Sequence, residues 1–84
     1  MRYLLMIQNV EGQKIYINEC LVVPEAKLID YKMTKKNFLL SRKAADTLLK
    51  YIVENRDYKG GIISIFSALE DPVIEYECVY SRKL

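Results

Sequence analysis

The stretch Ser41-Arg42-Lys43-Ala44-Ala45-Asp46-Thr47-Leu48-Leu49-Lys50-Tyr51-Ile52-Val53-Glu54-Asn55 decides how the rest of the chain is read. Its apolar residues come as adjacent pairs, Ala44/Ala45, Leu48/Leu49 and Ile52/Val53, four positions apart. On a helix of about 3.6 residues per turn that spacing lays down one continuous stripe. Arg42, Lys43, Asp46, Lys50 and Glu54 fall mostly on the opposite side. Ser41 is the expected N-cap, because its hydroxyl can accept from a free backbone amide of the first turn. Asp46 and Lys50 stand acid before base at the spacing that favours an ion pair. A start as early as Thr34 also fits, with Phe38 then joining the buried face. Asn55 to Gly61 ends the helix, and Gly60-Gly61 is expected to relieve the backbone there.

The segments on either side read as strands. Arg2 to Val10 is rich in β-prone residues, and Glu11-Gly12-Gln13 follows as a turn. Lys14 to Val23 begins with clear alternation, Ile15 and Ile17 against Lys14, Tyr16 and Asn18. The two runs are expected to form a β-hairpin that stops at Pro24, which has no amide to give a ladder. Leu28 to Met33 alternates as well, which favours a short optional strand with Ile29, Tyr31 and Met33 on one side over a structured loop. Beyond the helix, Ile62 to Ala68 is apolar enough for a central strand. Leu69-Glu70-Asp71-Pro72 reads as a turn. Val73 to Tyr80 puts Ile74, Tyr76, Cys78 and Tyr80 on one face and Glu75 and Glu77 on the other.

The expected order is therefore hairpin, optional short strand, helix, hairpin. One amphipathic helix covers one face of a sheet and no more. The fold class that follows is α+β: an antiparallel sheet of four to five strands with the helix packed on one face. The 84 residues make a single domain, 1–84, without repeat or linker.

Composition bounds the function. The chain is 51% hydrophobic and 29% charged, as globular proteins are, and no apolar run is long enough to cross a membrane. The apolar run after Arg2 reads as a strand and not as a signal peptide, so a cytoplasmic location is expected. Cys20 and Cys78 are then expected as reduced thiols buried in apolar surroundings.

There is no histidine. That removes the commonest general base and the commonest metal ligand, and with them catalytic triads. Two distant cysteines do not make a zinc site. Gly60-Gly61 lacks the lysine and hydroxyl residue of a phosphate loop. Glu70/Asp71 and Glu75/Glu77 are read as solvated surface. The expectation is a protein that is not an enzyme and carries no cofactor or metal.

Charge is unevenly placed. Residues 32–59 hold eight bases against three acids, a surplus of +5, while the flanking segments are mildly acidic. Lys32, Lys35, Lys36, Arg42 and Lys43 occur without an intervening acid. Arg42 and Lys43 also sit in the first helical turn, against the helix dipole. Local conflicts of this kind collect at functional sites. These five residues are the candidate binding set, together with Tyr16, whose place beside Lys14 and Asn18 predicts an exposed aromatic. Among the other tyrosines, Tyr51 and Tyr58 flank the helix end and are candidates for an interface rim.

The function expected is a protein-binding module that acts without catalysis. Its composition, with much Lys, Ile, Tyr and Asn, is of a kind frequent in phage and mobile-element proteins. An accessory or inhibitory protein that occludes a host protein or nucleoprotein complex fits the missing chemistry. The alternative is a nucleic-acid-binding protein that contacts phosphates through residues 32–43. No membrane partner is expected. A homodimer through a free strand edge is compatible with the fold.

Overall fold

In the computed structural model, which describes residues 1–71 and 73–84, β1 (Arg2–Gln8) is the central strand of a five-stranded sheet. It pairs antiparallel on one side with β2 (Lys14–Ile17) and on the other with β4 (Ile62–Leu69). β3 (Val22–Pro24) flanks β2, and β5 (Glu75–Lys83) flanks β4. The order across the sheet is β3-β2-β1-β4-β5, antiparallel throughout, with α1 (Arg42–Asn55) on one face. This is the expected α+β class. Pro72, the end of the expected 69–72 turn, lies outside the described residues.

The first turn is built by Asn9. Its side-chain oxygen accepts from the amides of Glu11 (3.1 Å) and Gln13 (2.9 Å), and Gly12 takes φ +84°. The expected single strand from Lys14 to Val23 is itself a hairpin, β2 and β3. Asn18 causes the break: its side chain accepts from the amides of Cys20 (2.8 Å) and Leu21 (2.7 Å), which a continuing ladder would need. Cys20, placed on this turn, is exposed, and so is Cys78 on edge strand β5. Both correct the expectation of buried thiols.

The optional strand at Leu28–Met33 is absent. A 3₁₀ turn at Glu25–Lys27 leads into local bonds, Tyr31 N–H to Lys27 O (3.1 Å) and Met33 N–H to Leu28 O (2.8 Å). Alternation in so short a run does not outweigh amides that find partners within the same segment. The helix does not begin at Thr34. Lys35–Phe38 is a second 3₁₀ turn, and extended backbone follows to Ser41.

The helix itself is as the apolar spacing requires. Ser41 caps it, its hydroxyl accepting from the Ala44 amide at 3.1 Å. The ion pairs differ from expectation: Asp46 bonds back to Arg42 (3.1 Å), and Lys50 stands 3.9 Å from Glu54. At the far end the left-handed residues are Arg56 (φ 56°), Tyr58 (φ 53°) and Gly60 (φ 88°), so the helix is closed before the glycine pair is reached. Gly61 is needed for space instead. A Cβ there would lie 2.7 Å from the Gln8 carbonyl oxygen.

The sheet has two cores. Leu5, Ile7, Ile15, Ile17, Ile63 and Ile65 face α1, where Ala45 and Ile52 are buried against them with Leu40. Leu4, Tyr16 and Val23 face the other way, under Leu28 and Phe38 of segment 25–39. One helix covers one face, as expected. The second face is also covered in part, by non-helical chain.

Candidate binding surfaces

Segment 25–41 carries half of the candidate residues and leads into Arg42 and Lys43, and its path decides what they can do. Phe38 belongs to the core on one side of the sheet, and Leu40 to the core on the other. Between them the chain passes the end of β1, where Leu40 and Tyr3 exchange backbone hydrogen bonds of 2.7 Å each way. The basic run is split by this crossing. Lys32, Lys35 and Lys36 precede it, and Arg42 and Lys43 follow it at the start of α1.

Two of the five cations are engaged within the fold. The Lys35 ammonium lies 5.4 Å from the ring centre of Tyr76 and 5.8 Å from that of Tyr16. Arg42 pairs with Asp46 and stacks 5.2 Å over the ring of Tyr3. The bond to Asp46 also explains why a cation is tolerated at the positive end of the helix dipole. Lys36 is exposed and its charge is felt at Glu70, whose carboxyl is held below its ordinary value, first by the hydrogen bond from Arg2. Lys32 and Lys43 are exposed, and among the described residues neither is in an ion pair. Lys32 has φ 54°, a left-handed conformation unusual for a side chain with a Cβ.

Tyr16 is not the exposed aromatic that alternation suggested. It is 1% exposed and packs against Phe38 with ring centres 5.9 Å apart. Its side of the sheet was expected to be wet, and the Phe38 segment covers it. The Tyr16 hydroxyl donates to Glu25 at 2.7 Å. Burial, and then that bond, push the phenol above its ordinary value.

The exposed aromatic of this region is Tyr31. Turn 28–33 divides its side chains sharply: Leu28 is buried and Met33 half-buried, whereas Ile29 is 88% and Tyr31 58% exposed. The turn that displays them is tied by Lys32 N–H to Ile29 O (3.0 Å) and Met33 N–H to Leu28 O (2.8 Å). The pair Ile29/Tyr31 was visible in the sequence, but as one side of a short strand that also held Met33. At the helix end Tyr51 is 61% exposed, while Tyr58 is half-buried against the helix-side core.

A third cluster was not legible at all. Arg56 and Lys59 beyond α1 meet Arg82 and Lys83 at the end of β5, around a cleft of about 280 Å³ that Ile52, Val53, Asp57 and Leu84 also line. Backbone bonds between Gly60 and Leu84 (2.9 Å) and between Leu84 and Gly61 (2.8 Å) join the two segments. Their separation in sequence hides the cluster from any scan for local charge.

Among the described residues no three Cys, Asp or Glu side chains gather as metal ligands, and no helix is long and apolar enough to cross a membrane. The chain matches no protein-family model, no curated protein and no solved structure.

Proposed function

We propose that the protein is a non-enzymatic binding module for another protein, and that turn 28–36 is its contact surface. The observation that carries this reading is the display of Ile29 and Tyr31, with exposed Lys32 next in the chain, on a turn anchored inward by Leu28, Met33 and Phe38. An aromatic and an aliphatic side chain held out on ordered backbone lose little entropy on docking, and a cationic rim adds orientation. Such a surface works by occupation and needs no catalytic group. It suits an accessory or inhibitory protein of a phage or mobile element that covers part of a host protein or nucleoprotein complex.

The nucleic-acid reading has less support. Phosphate contacts need free cations on one side, whereas Lys35 lies over tyrosine rings, Arg42 is held by Asp46, and the run is divided by the sheet.

The test is affinity capture from host lysate with and without nuclease, using the natural chain and an Ile29→Asp/Tyr31→Ala variant. Both side chains are exposed, so circular dichroism of the variant should be unchanged. The expected result is one stoichiometric protein, lost with the variant. Equal recovery by both chains overturns turn 28–36 as the surface. Recovery that disappears with nuclease, together with a salt-sensitive gel shift, moves the function to nucleic acid.

A further inference from the structure

β5 is a free edge of nine residues, and both signs of charge stand on it in separate halves. Glu75 and Glu77 occupy its first half, Arg82 and Lys83 its second, and all four are exposed. Among the described residues none of the four makes an ion pair within the chain. Exposed edges are commonly blunted by charged side chains and by bulges, and β5 carries both. Here the charge is segregated by sign along the strand. A like strand running the other way meets the opposite sign at both ends.

The bulge sets which residues meet. Phe66 is opposite Cys78 and Ile65 opposite Tyr80, so Val79 has no partner on β4. The faces of β5 therefore change over at Val79. Glu77 stands opposite Ser67, and Arg82 opposite Ile63, two positions of β4 on the α1 side. Tyr76, Cys78, Ser81 and Lys83 are all on the other side, opposite Ala68, Phe66, Ser64 and Ile62. In an unbulged strand Glu77 and Arg82 would point to opposite faces. With the bulge they share one, as cross-strand neighbours in a continuous sheet must.

We propose that β5 pairs antiparallel with β5 of a second copy of this chain, about a two-fold axis between Val79 and Tyr80. Glu77 of each copy then lies opposite Arg82 of the other, Tyr76 opposite Lys83, Cys78 opposite Ser81, and Val79 opposite Tyr80 at the axis. Val79 is 47% exposed in the single chain, and it and the adjoining Tyr80 are the apolar centre of the contact. The two five-stranded sheets become one continuous sheet. Turn 28–36 is not used, so this inference does not rest on the function proposed above.

An edge contact of this kind lies at the small end of protein interfaces, below about 1,200 Å² in total. It is accordingly weak and salt-sensitive. Sedimentation between about 10 μM and 1 mM at low salt should show the 9.9 kDa chain doubling in mass. Glu77→Arg or Arg82→Glu alone should weaken the dimer by roughly tenfold or more, since each creates two like-charge oppositions. The combined E77R/R82E chain should return to the natural value, which no general loss of folding can imitate. In a Cys20→Ser background, Ser81→Cys should give a disulfide-linked dimer on mild oxidation, because Cys78 of one copy faces position 81 of the other. A monomer up to 1 mM overturns the proposal, and so does a dimer indifferent to E77R. A dimer sensitive to E77R but not rescued by R82E overturns the register.

Discussion

On one face of the sheet Ala45 and Ile52 of α1 lie over Leu5, Ile63 and Ile65; on the other, Leu28 and Phe38 lie over Leu4, Tyr16 and Val23. The first cover is a regular helix whose backbone bonds are internal to it. The second is two short 3₁₀ turns and bends, tied down by scattered contacts: Phe38 on Tyr16, Asn18 Nδ2 to Asn37 O (3.1 Å), and Thr34 N–H to Asn37 Oδ1 (2.8 Å). A helix can shift as a body and stay hydrogen-bonded. The irregular cover holds its shape only while its few anchors hold. The residues free for binding follow from this. The helix spends its apolar stripe on the core, whereas the irregular segment buries Leu28 and Phe38, half-buries Met33, and leaves Ile29 and Tyr31 outside.

Removing one anchor from each cover is the strongest way to break this comparison. Ile52→Ala should cost about 2–5 kcal/mol and Phe38→Ala about 3–5 kcal/mol, both read by urea unfolding. The two losses should differ in kind. With Phe38→Ala, amide exchange at Tyr31, Lys32 and Met33 should quicken more than at Ala45, since their bonds are local to the released segment. A Phe38→Ala cost below about 1 kcal/mol would mean that segment 25–39 is not part of the cooperative fold.

The same contrast explains what was legible in the sequence. Periodicity reports regular elements packed on one neighbour. It located α1 with its cap at Ser41, β1, and the alternation of Ile15 and Ile17. It placed Tyr16 on the correct face but took that face to be open, because nothing periodic remained to cover it. The cover comes from residues 25–39, whose bonds are short-range and whose anchors, Leu28 and Phe38, are ten positions apart without helical or strand spacing. The bulge at Val79 escaped for a related reason. Strict alternation from Val73 to Tyr80 put Cys78 and Tyr80 together, whereas an extra residue opposite β4 puts them on different faces. The basic run was legible as a run. Its division depends on where the chain crosses from one core to the other, at Leu40.

A smaller effect separates the covers by how each begins. Ser41→Ala removes the acceptor for the Ala44 amide and should cost about 0.5–2 kcal/mol, with the loss confined to the first turn of α1. Circular dichroism should keep its overall shape while exchange at Ala44 and Ala45 rises. On the opposite face Tyr16→Phe removes only the hydroxyl bonded to Glu25, at about 0.5–1.5 kcal/mol. It should also remove a pH dependence. The Tyr16 phenol is raised above its ordinary 10.0, by burial first and then by Glu25. The unfolded chain thus ionises first as pH rises, and stability present below about pH 10 falls above it. Natural protein should lose stability in alkali more steeply than the Tyr16→Phe variant, measured as the urea midpoint from pH 8 to 11.

The smallest effect tests the rim of the loop-covered face. Arg2 reaches Glu70 with two hydrogen bonds, one of 3.2 Å from Nε, and Lys36 adds its charge from the cover. Glu70 is thereby held below the ordinary carboxylate value, by the Arg2 hydrogen bond first. A depressed carboxyl stabilises the fold above its ordinary value and loses that contribution as pH falls through the folded one. The pair is exposed, so the sign shows in titration before it shows in stability. Carboxyl resonances followed by NMR should place the Glu70 midpoint below the ordinary glutamate value. Arg2→Gln should raise it, and Lys36→Gln should raise it less. If Lys36→Gln moves Glu70 not at all, the second 3₁₀ turn does not sit against the β4 end in solution.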